Sequence, residues 1–133
     1  MSNGEKSDSL FLIDNKEATV NAINTIKKII KTTLGQIEQL KLDKLDDNNT
    51  FELCQNTIKN LYMLIDTIDK ERNTAISKDL DLDYLYKHCL FAVVRVRDHK
   101  DYEFLDGCIQ ILSDITEGWD RVGSAIKRAP AFG

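Results

Sequence analysis

Proline and glycine are scarce in this 133-residue chain, which has one Pro and six Gly. That excludes a collagen-like or low-complexity architecture. No apolar run approaches the roughly 20 residues that a membrane-spanning helix needs. Only two histidines occur, His88 and His99, and they form no HxxxH pair. The three cysteines, Cys54, Cys89 and Cys108, are an odd number with no CxxC step. A disulfide framework uses even sets, so reduced thiols acting as small core hydrophobes are expected. A Gly-rich phosphate loop is missing. Basic charge is also in deficit: 18 Lys and Arg against 22 Asp and Glu leave a net charge of −4. Nucleic-acid binding needs the opposite sign. The first nine residues are polar, with no basic n-region and long apolar h-region, so a cytosolic protein without membrane or nucleic-acid partners is expected.

What the chain does hold is aliphatic side chains. Fifteen Leu and 14 Ile stand in a sequence that is 42% hydrophobic and 30% charged. A domain of this length buries about two-thirds of its surface, enough for a core of its own. In residues 18–42, Val20, Ile23, Ile26, Ile29/Ile30, Leu34, Ile37 and Leu40 draw a stripe in steps of three and four, the signature of an amphipathic helix. Asp14 and Glu17 resemble a capping box before it. Gly35 lies inside this helix and is expected to permit a close helix contact. Residues 41–50 (KLDKLDDNNT) are a polar break. A second helix follows, with a heptad seam of Phe51, Cys54, Ile58, Leu61, Ile65 and Ile68, and with Asn49 and Glu52 at its cap and third positions.

The third helix is expected from about Ile76 to Arg97, and its middle, residues 84–94, is apolar almost all round. Val93, Val94 and Val96 leave a strand reading open there, but length favours a helix. The fourth carries Leu105, Cys108/Ile109, Leu112, Ile115, Trp119, Val122 and Ile126. Trp119 is expected to pack near the Leu105-side residues of the partner helices. Short connections make successive helices antiparallel. The expected fold is therefore all-α, an antiparallel up-down four-helix bundle. A partly flexible N-terminal segment (1–17) precedes the bundle (18–126), and a tail (127–133) follows it.

Catalytic and metal signatures are incomplete. Asp79, Asp81 and Asp83 open like an EF-hand loop, but Tyr84 stands where the turn needs Gly and Leu90 where the loop needs Glu. A negatively charged helix start accounts for the same residues. His88 and Cys89 are adjacent on a helix, about 100° apart, so they do not face each other as a nucleophile pair. Histidine phosphotransfer bundles place a basic residue and a Gly after the phosphorylated His; after His88, residues 89–92 supply neither. The sequence therefore reads as non-enzymatic, with no cofactor and no metal.

Two segments and one tryptophan carry a family resemblance. Asp101-x-Glu103-x-Leu105-Asp106, followed by Leu112, Ile115 and Trp119, resembles the closing helix of the FliS-type flagellar secretion chaperones. Ile76-Ser77-Lys78-Asp79-Leu80 and Asp83-Tyr84-Leu85-Tyr86-Lys87 resemble that family's entry into helix three and its aromatic–basic segment. The likeness spans roughly residues 49–122. The chain departs from the pattern in a shortened stretch between Leu80 and Tyr84, in keeping only Gly and an aliphatic of the helix-one step (Leu34-Gly35-Gln36-Ile37), and in lacking a Tyr-rich opening. It is similar to a divergent member.

The resemblance implies a bacterial cytoplasmic chaperone that binds the disordered C-terminal segment of flagellin, or a related flagellar export substrate. It implies hand-over to an export-gate or regulatory protein, and a monomer or weak homodimer. An amphipathic client laid into a groove needs apolar side chains left over once the core is full. Leu53, Tyr62, Met63, Phe91 and Val94 are the expected client contacts, because they cannot all share one inward stripe. Leu10, Phe11, Leu12 and Ile13 are expected to form a gate over the groove; the alternative for this apolar segment is a hydrophobic staple. A dimeric adaptor or co-chaperone bundle is the alternative function, and a histidine phosphotransfer domain the remote one.

Overall fold

The computed structural model describes residues 16–42, 46–68 and 81–128. They form four helices, α1 (Lys16–Leu42), α2 (Asp47–Asp66), α3 (Leu82–His99) and α4 (Leu105–Arg128), with no strand among the described residues. Among the described residues, no helix is long and apolar enough to cross a membrane. The β-branched stretch around Val93 is helical, because its position against the core outweighs a weak local preference.

Helix ends follow acidic caps. Asp46 has an extended backbone, and its carboxylate accepts the Asn49 amide at 2.8 Å. The cap of α2 is thus Asp46, not Asn49; in a run of Asp and Asn the residue that leaves helical geometry decides, and a full negative charge suits the helix dipole. Asp81 does the same for α3, accepting the Tyr84 amide at 3.1 Å from an extended conformation. The expected start near Ile76 is therefore corrected, since Asp81 is not helical. Asp14, the expected cap of α1, lies outside the described residues.

The α3–α4 turn is closed by Lys100, the one described non-Gly residue with positive φ (52°). Its N–H reaches Val96 O at 3.0 Å, the single bond of a left-handed αL cap, and the Asp101 N–H reaches Arg95 O at 3.2 Å. The Asp101 carboxylate then accepts the Glu103 amide at 3.1 Å and Arg95 Nη2 at 2.9 Å.

Contacts fix the topology. Across α1 and α4, Lys41 pairs with Asp106, Lys27 with Asp120, and Lys16 Nζ donates to Lys127 O at 2.9 Å. One number rises as the other falls, so the helices are antiparallel. Asn60 to Gln36 (2.9 Å) ties α2 to α1, and Arg97 to Gln55 (2.7 Å) ties α3 to α2. Phe91 against Phe104 joins α3 to α4. Each helix packs on two neighbours in the ring α1–α2–α3–α4, an up-down-up-down bundle.

Ile23, Ile30, Ile37, Leu61, Leu64, Tyr86, Val93, Leu112 and Ile115 are among the side chains that fill its axis. Two buried threonines do not disturb it. Thr33 and Thr57 donate to the carbonyls of Ile29 (2.8 Å) and Leu53 (2.7 Å) on their own helices, so neither hydroxyl is stranded.

Three expectations about packing fail. Phe51 is exposed, and α2 buries Cys54, Thr57, Ile58, Leu61 and Leu64 instead. A seven-residue repeat drifts by about 20° per heptad on a straight helix, which carries its first member out of the core. Gly35 is exposed, and a Cβ there would meet nothing within 4 Å. Trp119 lies about 21 Å along α4 from Leu105, beside Val20, Ile23 and Gly123 at the opposite end of the bundle.

Two outcomes follow. Gly35→Ala adds a methyl in open space and removes backbone freedom from the unfolded chain, so urea unfolding is expected to show a gain of about 0.5–1 kcal/mol. The Asp101 carboxyl is held below its ordinary value, first by the Glu103 amide and then by Arg95. Its contribution is complete above the unfolded carboxylate range and lost as pH falls through the depressed value. Asp101→Asn is expected to lower the melting temperature at neutral pH and to flatten its decline below about pH 4.

Candidate functional site

Among the described residues, seven large apolar side chains stand in solvent: Leu42, Phe51, Tyr62, Met63, Tyr84, Phe91 and Tyr102. Six of them lie on α2, on α3 or in the turn after α3, so one half of the bundle bears nearly all the exposed apolar surface. Exposed apolar side chains gathered on one part of a surface mark interaction sites more often than evenly scattered ones do.

On α3, Tyr84, His88 and Phe91 recur at steps of four and three and form a line of rings. Their centroids are 6.4 Å apart at each step, and Phe91 continues edge-on to Phe104 at 5.4 Å. Exposure is 63% at Tyr84 and 48% at Phe91, with Tyr102 close to the lower end in sequence. The strip lies along the α3–α4 edge. A Lys87–Asp83 pair (3.0 Å) and the Arg95–Asp101 pair border it.

A second strip runs along α2. Phe51 and Tyr62 are 11 residues apart, within about 20° of one line on the helix. Gln55, between them, bonds Arg97 of α3, so this line overlooks the α2–α3 edge. Met63 is a further step of about 100° round, facing outward, and is 44% exposed.

The expected contacts therefore divide. Tyr62, Met63 and Phe91 are exposed. Leu53 is half-buried against the core, about 180° round α2 from Tyr62. Val94 is likewise packed on the core, about 60° from Phe91. Tyr62 and Phe91 occupy different edges of the bundle, not one groove. Phe51 was expected in the core seam of α2, and Tyr84, His88, Tyr102 and Phe104 were not among the expected contacts. The i, i+4, i+7 spacing of Tyr84, His88 and Phe91 was a readable signal for an aromatic face. Leu10, Phe11, Leu12 and Ile13, the expected gate, lie outside the described residues.

Other chemistry resolves into structure. Asp81 is a cap, and Asp83 pairs with Lys87. His88 points into the ring strip, while Cys89 beside it is fully buried. No cluster of three or more His, Cys, Asp or Glu suited to a metal occurs among the described residues.

A recess of about 150 Å³ between α1 and α4 is lined by Val20, Ile23, Asn24, Trp119, Ser124 and the Lys27–Asp120 pair. Behind it, the buried Tyr86 Oη and Trp119 Nε1 have no hydrogen-bond partner. The indole lies beside the phenol without completing a bond. Burial is the main cause that pushes the Tyr86 phenol above its ordinary value. Tyr86→Phe removes an unsatisfied hydroxyl while keeping the ring's volume. Chemical denaturation is expected to show it neutral or up to about 1 kcal/mol more stable.

No protein-family model, no curated protein and no solved structure matches this chain.

Proposed function

We propose that this protein is a flagellar export chaperone of the FliS type. It acts in the bacterial cytoplasm, binds the disordered C-terminal region of flagellin or a related export substrate, and prevents premature polymerisation. The observation that carries the reading is the concentration of exposed aromatic and apolar side chains on α2, α3 and the turn that follows. An enzyme of this size needs a concave site with converging polar groups, whereas a client-binding bundle needs exposed apolar strips. The two strips are separated round the bundle, which suits a flexible client better than a preformed rigid one. Disordered segments wrap large surfaces and order as they bind. The client would contribute aliphatic side chains to the rings at Tyr84, His88 and Phe91 on one edge, and to Phe51 and Tyr62 on the other.

Phe91→Glu and Tyr62→Glu test each strip separately. Both side chains are half-exposed, so Tyr62→Glu is expected to stay within about 0.5 kcal/mol of the parent in unfolding, and Phe91→Glu, which loses its edge-on contact with Phe104, within about 1.5 kcal/mol. A carboxylate left unpaired in a dry interface is expected to weaken binding of a C-terminal flagellin peptide by at least about tenfold in a calorimetric titration. Full affinity in both variants would reject these strips as the client surface. A concentration-dependent dimer that dissociates in either variant would instead assign the apolar half to a symmetric adaptor interface.

A further inference from the structure

Cys89 on α3 and Cys108 on α4 face each other across the bundle. Cys89 Sγ donates to Cys108 O at 4.0 Å, and Cys108 Sγ donates to Cys89 O at 3.9 Å. The reciprocity places the two residues level with each other, each thiol lying against the other residue's backbone. Small neighbours allow this approach, since Ala92, one turn along α3, is also fully buried. Helix axes about 9–10 Å apart, within the usual range, with Cα atoms about 2.3 Å off each axis, leave roughly 4.4–5.4 Å between directly facing Cα atoms. A disulfide spans that separation. Cys54, on α2, makes no such contact with either of them.

We propose that Cys89 and Cys108 are a peroxide-oxidisable dithiol that closes into an intramolecular disulfide, pinning α3 to α4 beneath the Phe91–Phe104 contact. The oxidant is a small neutral hydroperoxide, which reaches the pair when the two helices part slightly. One thiolate attacks a peroxide oxygen and the O–O bond breaks, giving a sulfenic acid and hydroxide, which is protonated to water. The second sulfur attacks the sulfenic sulfur; the S–O bond breaks and water leaves with the second thiol's proton. The two sulfurs together give up two electrons, and one peroxide becomes two waters. The neighbouring Cys108 thiol, followed by burial, holds the Cys89 thiol well above its ordinary value. Thiolate is therefore scarce in the resting protein, and the pair responds to sustained oxidant rather than to traces.

Reduced full-length protein treated with excess hydrogen peroxide tests this directly. The expected product has lost two hydrogens. Non-reducing digestion is expected to join the peptides that carry Cys89 and Cys108, and dithiothreitol to separate them. The bridged form is expected to melt roughly 5–10 °C higher than the reduced form. Cys54→Ala is expected to leave the bridge intact, and Cys89→Ala or Cys108→Ala to abolish it. The same treatment in sub-denaturing urea keeps the test decisive if the folded protein reacts slowly. Oxygen added separately to the cysteines, a bridge to Cys54, covalent dimers, or no intramolecular bridge under either condition would overturn the proposal.

Discussion

The closure of four apolar stripes on a common axis is the constraint from which the rest of this molecule follows. Each helix carries an apolar stripe, wider on α3 than on α1 or α4, and no single helix can hide that stripe alone. The link between α1 and α2 spans four residues, 43–46, and the Lys100 turn returns the chain from α3 to α4 within a few residues. The helices must therefore run back along one another. Once Ile30, Ile37, Leu61, Leu64, Val93, Val96, Leu112 and Ile115 occupy the axis, the remaining apolar side chains on α2 and α3 have no interior left to enter.

That surplus gives the bundle its asymmetry. Outside the core, α1 and α4 expose mostly Lys, Asp, Glu, Asn and Thr, and Lys27–Asp120 and Lys41–Asp106 lace them together. These pairs are exposed and add little stability, but they set the register of the two helices. On the opposite half, aromatic rings remain in solvent and partly stack on one another. Stacking shelters some area but leaves Tyr84 mostly exposed and Phe91 about half exposed.

Small side chains occupy one level of the α3–α4 contact. Cys89, Ala92 and Cys108 meet at the α3–α4 contact. Tyr86 and Trp119, by contrast, fill the other end with large rings whose polar atoms find no partner. The bundle is thus tight at one level and incompletely satisfied at another, and its chemistry is drawn from both.

Much of the architecture was legible in the sequence. The steps of three and four in α1 and α4 name most of the residues that are buried there, because a helix with one apolar face has one way to hide it. Helix boundaries were less legible: any residue of the Asp46–Asn49 run can cap, and only the local backbone chooses Asp46. The surface on α2 and α3 was partly legible. Too many apolar residues for one stripe could be seen along the chain, and Tyr62, Met63 and Phe91 are indeed outside. Which of them fell inside was decided by tertiary packing. Leu53 turns towards α1 and Val94 towards the core, while Phe51 is carried out by the drift between a seven-residue repeat and 3.6 residues per turn. By itself the sequence determined that four amphipathic helices would form and close on one core, since local periodicity encodes that. The tertiary structure alone decided that Cys89 would face Cys108, and that Tyr62 and Phe91 would lie on different edges, because those relations depend on the rotation of each helix about its axis, which the pattern within one helix does not specify.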